Sequence, residues 1–193
     1  NNTMKGMNVG ERILASFFSA STARTAGFNS VDTGSLTSAS KLLTCVLMFI
    51  GGSPGSTAGG IKTTTIFILV VSLWSGITDR HKTAIFKRRF EDDAIKKAST
   101  VFTLNMFLAI FALFTILAIT DLSLSDVMFE VFSAIGTVGM TTGITRDLSS
   151  AARIIIMVLM FCGRVGSLSF ALTFLQGKKD PPVYYPEEEI SVG

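Results

Sequence analysis

The 193-residue sequence predicts an all-α integral membrane protein with three membrane-crossing segments and two shorter re-entrant helices. Three observations point there. The chain is 48% hydrophobic and only 16% charged, with a mean hydropathy of +0.53, so a bilayer is its expected solvent. Its apolar stretches reach, or combine to reach, the ~20 helical residues needed to cross about 30 Å of hydrocarbon. Finally, the stretch beginning at Phe17 matches the stretch beginning at Phe129 without a gap.

Composition also excludes several classes. The net charge of +3 is modest and its basic residues gather in one loop, unlike the basic surface interleaved with aromatics that binds nucleic acid. Cys45 and Cys162 lie in apolar runs without a neighbouring Cys or His, so buried thiols are expected, not a disulfide framework or a metal site. No acid, base and nucleophile cluster in the apolar segments, so no enzyme is indicated, and no organic cofactor is expected. Sixteen Phe against two Tyr and one Trp suits hydrocarbon, with Trp74, Tyr184 and Tyr185 as candidate interface residues. The start at Asn1, with no initiator Met or targeting segment, reads as part of a longer protein.

In chain order, residues 10–23 carry apolar side chains on one helical face (Ile13, Leu14, Phe17, Phe18) but are too short to span. A polar Thr/Gly stretch follows. Residues 42–50 form an apolar run of about 14 Å at the helical rise, then a glycine-rich stretch covers 51–60, then a second apolar run covers 61–77. Joining the two runs into one crossing puts the glycine stretch at membrane depth, where irregular backbone is tolerated only beside protein or a water-filled cavity. Seven basic residues follow, Arg80, Lys82, Lys87, Arg88, Arg89, Lys96 and Lys97, in a solvated, partly helical loop that also holds His81. The positive-inside rule makes this loop cytoplasmic. Residues 99–120 read as the cleanest crossing. Residues 125–136 read as a second short amphipathic helix (Val127, Met128, Val131, Phe132), and 151–176 as a third crossing that carries Arg164 near its middle. Lys178 and Lys179 make the C-terminus cytoplasmic as well.

The repeat organises these pieces. Thirteen of thirty-five aligned positions are identical, among them Thr25 with Thr137, Gly27 with Gly139, Thr33 with Thr145, Met48 with Met160 and Gly51 with Gly163, while Lys41 faces Arg153. Each unit reads as short helix, T-x-G loop, inward helix.

The chemistry lies in the equivalent loops, Thr25, Ala26, Gly27, Phe28, Asn29 and Thr137, Val138, Gly139, Met140, Thr141. A dehydrated alkali cation needs a cage of oxygens, and carbonyls beside a glycine can turn inward where a side chain would clash. The short helix before each loop would aim its partially negative end at the cation. Below these filter candidates lies a gate candidate: Gly51, Gly52, Ser53, Pro54, Gly55, Ser56, Thr57, Ala58, Gly59 and Gly60, with a plain kink as the alternative. A phosphate-loop reading fails because Ile61 separates Gly60 from Lys62. Arg164 at midmembrane would cost about 2.5–3.5 kcal/mol without a partner. Carbonyls of 51–60 are the natural candidates, and a water-filled vestibule is the alternative.

The runs Thr22, Ala23, Arg24, Thr25, Ala26, Gly27, Phe28, Asn29, then 51–64, then Gly163, Arg164, Val165, Gly166 closely resemble the Trk/Ktr/HKT potassium transporters, of the Ktr-type membrane subunit, over nearly the whole chain. The resemblance implies four tandem M1–pore helix–M2 repeats, potassium-channel-like, around one pore. It implies a homodimer in the cell membrane with a cytoplasmic nucleotide-binding regulatory ring, and uptake of K+ that is often Na+-dependent. It assigns residues 1–77 to the pore helix, filter and broken M2 of the third unit, 78–97 to a cytoplasmic loop, 98–177 to the fourth unit and 178–193 to a cytoplasmic tail. It makes Gly27 and Gly139 filter glycines, 51–60 the gate loop, and Arg164 the arginine that contacts it. The first two units are missing from this sequence, so it needs the N-terminal half of the same pore to close one. A non-transporting assembly subunit of a membrane cation-ATPase is the rival.

Overall fold

A computed structural model describes residues 3–4, 6–56, 58–78, 84–85 and 88–166. Its helices are α1 (Val9–Thr22), α2 (Ser38–Phe49), α3 (Thr63–Ile77), α4 (Asp92–Ile119), α5 (Leu124–Ile135) and α6 (Ser150–Val165). A 3-10 turn, Ile144–Arg146, lies between α5 and α6. The expected all-helical content has one amendment, in the basic loop. There β1 (Ala84–Ile85) and β2 (Arg88–Arg89) pair antiparallel, Ala84 opposite Arg89 and Ile85 opposite Arg88. Thr57, the loop residues Arg80, His81, Lys82 and Lys87, and everything from 167 onward, including Lys178, Lys179, Tyr184 and Tyr185, lie outside the described residues.

Helix starts follow local chemistry. Thr37, Ser123 and Ser149 each accept a backbone N–H three residues on, from Ser40, Asp126 and Ala152, and so begin α2, α5 and α6. Glu11 does the reciprocal job at α1, accepting the Asn8 N–H at 2.9 Å. These starts, with the breaks around residues 50–62, reproduce the expected short helices and the expected split of the 42–77 crossing into α2 and α3.

Helix α4 is long and apolar enough over Asp93–Ile119 to cross a membrane. Asn105, Ala109, Ala112 and Ile116 recur every three or four residues and are buried, forming the stripe that packs inward. Phe107, Ile110, Phe111 and Phe114 are 57–73% exposed. Large apolar side chains held outward in this way suit lipid or another protein surface.

Helix α5 is the hub. It packs against α2, α4 and α6, and Val127, Phe129 and Val131 on it are fully buried. Helix α1 is its counterpart in the repeat but has no comparable neighbours among the described elements, so Ile13, Leu14 and Phe17 stay 67–70% exposed. Of the expected crossing at 151–176, the described residues carry α6 as far as Val165, where Gly166 adopts φ 90°, outside the helical region. Arg164 therefore sits in the last turn of α6, not at a helix midpoint.

Two contacts set the packing distances. A side chain at Gly163 would run into the Ile135 carbonyl, and one at Gly51 into the Gly59 carbonyl. The repeat thus keeps glycine at both positions because backbone meets backbone there. Across the two units, the Lys41 ammonium donates to Asp126 at 2.7 Å, with side chains only 10% and 22% exposed.

We expect Gly163→Ala to destabilise the purified protein by about 1–3 kcal/mol, since the neighbour it meets is backbone and cannot swing aside; an unchanged thermal midpoint would contradict this close approach. The pair at Asp126 carries a pH signature. Burial opposes its ionisation, but the Lys41 ammonium and the Ser123 hydroxyl outweigh that and hold the carboxyl below its ordinary 3.8. Its stabilisation is complete above that value and is lost as pH falls through the lower folded value. Asp126→Asn should cost about 1 kcal/mol at neutral pH, and the gap from wild type should close as pH falls below 3.8. A gap that persists there would mean the contact is not ionic.

Candidate functional site: two loops and a broken helix

Helices α1 and α5 end where the T-x-G loops begin. Both loops share an unusual backbone. Thr25 (φ 81°) and Gly27 (φ 74°) are left-handed in the first, Thr137 (φ 52°) and Gly139 (φ 83°) in the second. Glycine adopts this freely, whereas a β-branched threonine does so at a strain of about 1–3 kcal/mol. In each loop the left-handed residues thus fall two positions apart, a threonine and then a glycine.

The strain is held by hydrogen bonds to the preceding helix. The Ala26 and Gly27 N–H groups both donate to the Thr22 carbonyl, at 3.1 and 3.3 Å. The Thr22 hydroxyl accepts from Phe28 N–H and donates to the Phe28 carbonyl, both at 2.8 Å. In the second loop Val138 N–H donates to the Ser133 carbonyl at 2.9 Å, and the Ser133 hydroxyl donates to the Met140 carbonyl at 2.6 Å. Phe28 and Met140 are equivalent in the repeat, so each loop is tied at the same place. The loops also touch: Gly27 lies against the Val138 carbonyl, and Thr33 donates to the Thr141 carbonyl.

The glycine-rich break divides into two parts. Ser53, Pro54, Gly55 and Ser56 are exposed, with Gly55 left-handed at φ 82°. Ala58 and Gly59 are buried. Ile50 and Ile61 form an isolated parallel bridge, with Gly51 N–H donating to the Ile61 carbonyl at 2.8 Å and Ile61 N–H to the Phe49 carbonyl at 3.1 Å. Gly60 N–H donates to the Ile135 carbonyl at the end of α5, at 3.1 Å, and Gly59 N–H donates to the Thr137 hydroxyl at 3.0 Å. A side chain on Gly59 would come within 2.6 Å of that hydroxyl. The break therefore docks on the base of the second T-x-G loop.

Two residues that sequence reasoning passed over belong here. Lys62, read only as a mismatch to a phosphate loop, donates to the Ser56 carbonyl at 2.9 Å and the Ala58 carbonyl at 2.6 Å. It holds loop carbonyls of the kind expected to face Arg164, which is exposed in the last turn of α6. Glu130, buried on α5, accepts from the hydroxyls of Thr141 and Thr145, the latter at 3.0 Å. Its signal in the sequence was an acid amid the apolar residues of α5, with threonines eleven and fifteen residues on, since such an acid needs partners. Cys45 and Cys162 are buried and free. Among the described residues no group of His, Cys, Asp and Glu could hold a metal ion.

Residues 1–180 match the protein family described as TrkH, cation transport protein. The chain is 37% identical over 191 residues to the Ktr system potassium uptake protein B of Bacillus subtilis, covering 99% of this chain and 43% of that protein. It is also 37% identical over 190 residues to the potassium/sodium uptake protein NtpJ of Enterococcus hirae, covering 95% of this chain and 42% of that one. The chain thus spans less than half the length of these relatives. The crystal structure of the potassium transporter TrkH from Vibrio parahaemolyticus superposes with a TM-score of 0.69 at 19% identity, over 91% of this chain and 39% of that one, a likeness of fold. With both its sequence and its helical architecture matched in this way, the chain belongs to the TrkH family of membrane cation transport proteins.

Proposed function

We propose that this chain is the second half of a K+ uptake pore, its two T-x-G loops each supplying one quarter of a selectivity filter. The observation that carries the proposal is the shared backbone of those loops: a left-handed threonine and a left-handed glycine at equivalent positions, each directly after a short helix. Uptake of potassium is what the relatives' names describe. The rival, a non-transporting assembly subunit of an ATPase, gains nothing from those names.

On this reading, residues 1–77 are the pore helix (α1), filter and broken M2 (α2, α3) of a third unit. Residues 78–97 are a cytoplasmic loop, 98–177 are a fourth unit with α4 as M1, α5 as pore helix and α6 beginning M2, and 178–193 are a cytoplasmic tail. Filter residues are Thr25 to Asn29 and Thr137 to Thr141. The break at 51–60 is the gate, with Arg164 beneath the filter and Lys62 bracing the loop. Two preceding units, a homodimer partner and a cytoplasmic nucleotide-binding ring complete the assembly. Sodium dependence is taken from the potassium/sodium relative.

The filter assignment is tested at Gly139, which is left-handed at φ 83° with open space where a side chain would go, so a substitution perturbs the backbone without a clash. Gly139→Ser in the full-length protein should reduce selectivity for K+ over Na+ roughly tenfold, read from rubidium and sodium uptake into potassium-starved cells; unaltered selectivity would sink the assignment. For the gate, Lys62→Met should raise rubidium flux by freeing the Ser56 and Ala58 carbonyls, while Lys62→Arg keeps flux near wild type. Equal flux in all three proteins would leave the break as a kink.

A further inference from the structure

We propose that Glu130 and Thr33 are positioning residues of the second T-x-G loop, holding Thr141 from two sides, and that this hold sets how strongly that quarter of the filter prefers K+ over Na+. The proposal rests on the filter reading above.

After α5 the chain reverses and runs back along the helix. The Ser133 carbonyl accepts the Val138 N–H, and the Ser133 hydroxyl donates to the Met140 carbonyl at 2.6 Å. Glu130 lies three residues earlier, on the same face of the helix, and accepts the hydroxyl protons of Thr141 and Thr145. With its proton committed to Glu130, the Thr141 hydroxyl accepts the Gly143 N–H at 2.9 Å. The side chain of Thr141 is thus fixed both as donor and as acceptor. Its backbone is fixed from the other repeat unit, where the hydroxyl of Thr33, a residue only 6% exposed, donates to the Thr141 carbonyl. Thr33 and Thr145 are equivalent in the repeat, yet one holds Thr141 directly and the other holds its acid.

The first loop shows that the backbone path needs no acid. There the residue equivalent to Glu130 is Phe18, 42% exposed, and the one equivalent to Thr141 is Asn29, also exposed. That loop still has a left-handed threonine and a left-handed glycine, and a hydroxyl still donates to the carbonyl of Phe28, the equivalent of Met140. Glu130 is therefore an addition to the second loop, beyond what forms it. Thr141 is the last filter residue of that loop and stands two positions past Gly139, which has no side chain to anchor it. Discrimination between two alkali cations depends on the placement and number of the oxygens offered. Removing either hold frees Thr141 and leaves a polar partner unsatisfied.

The test compares rubidium and sodium uptake into potassium-starved cells carrying full-length transporters, with folded protein in the membrane measured for each. Glu130→Met and Thr33→Val should each lower the rubidium-to-sodium ratio about fivefold and raise KM for rubidium. Glu130→Gln keeps an oxygen for both hydroxyls and Thr33→Ser keeps the donor, so each should return the ratio to near wild type. Once Thr141→Val has removed the hydroxyl, Glu130→Met should cost no further selectivity. An unchanged ratio in either Glu130→Met or Thr33→Val, with uptake falling only as folded protein falls, would make that residue structural and overturn the proposal. Should Glu130→Met not accumulate, Thr33→Val decides alone. Gly139→Ser measured alongside separates the two failures: if it also leaves the ratio unaltered, the filter reading itself is wrong.

Discussion

The break between α2 and α3 leaves N–H and C=O groups without helical partners, each costly to bury unpaired, and the way residues 50–62 meet that demand shapes the rest of the molecule. Their partners come from three sources: the Ile50–Ile61 bridge, the ammonium of Lys62, and the end of α5 together with Thr137. The last source brings the break against α5, and glycine at positions 51, 59, 60 and 136 is what allows backbones to approach that closely. Helix α5 then needs cover on its other faces, which α2, α4 and α6 provide. An acid on this helix, Glu130, is accommodated because two threonines of its own loop solvate it.

The sequence was most informative where local rules and duplication agreed. Apolar spacing located both short helices to within a residue or two, because Asn8 with Glu11 and Ser123 start α1 and α5 without help from the tertiary fold. Self-comparison singled out Gly51 and Gly163, whose shared lack of a side chain has a shared steric cause. Spacing could not reveal what depends on distant partners. Lys62 was judged by its neighbours in sequence, yet its role depends on where the Ser56 and Ala58 carbonyls point. The end of α6 was missed because apolar composition continues past Gly166, whereas φ at that residue does not stay helical.

The two T-x-G loops are related but not interchangeable. Gly27 is pressed against the Val138 carbonyl, while Gly139 has open space beside it. The hydroxyl that ties the first loop comes from Thr22, one position along from the equivalent of Ser133. The second loop has a buried acid behind it where the first has Phe18 at the matching position. Duplication thus preserved the backbone path of the loops while the supports beneath each diverged.

The bond from Gly59 N–H to the Thr137 hydroxyl has a thermodynamic consequence. Thr137 holds a strained backbone, and part of what fixes its side chain is a donor supplied by the broken helix. Two elements that share a donor and an acceptor cannot have independent equilibria. A ligand whose preferred arrangement of Thr137 breaks this bond would bias the position of the break, and a second ligand that holds the break would change the first one's affinity by the same factor.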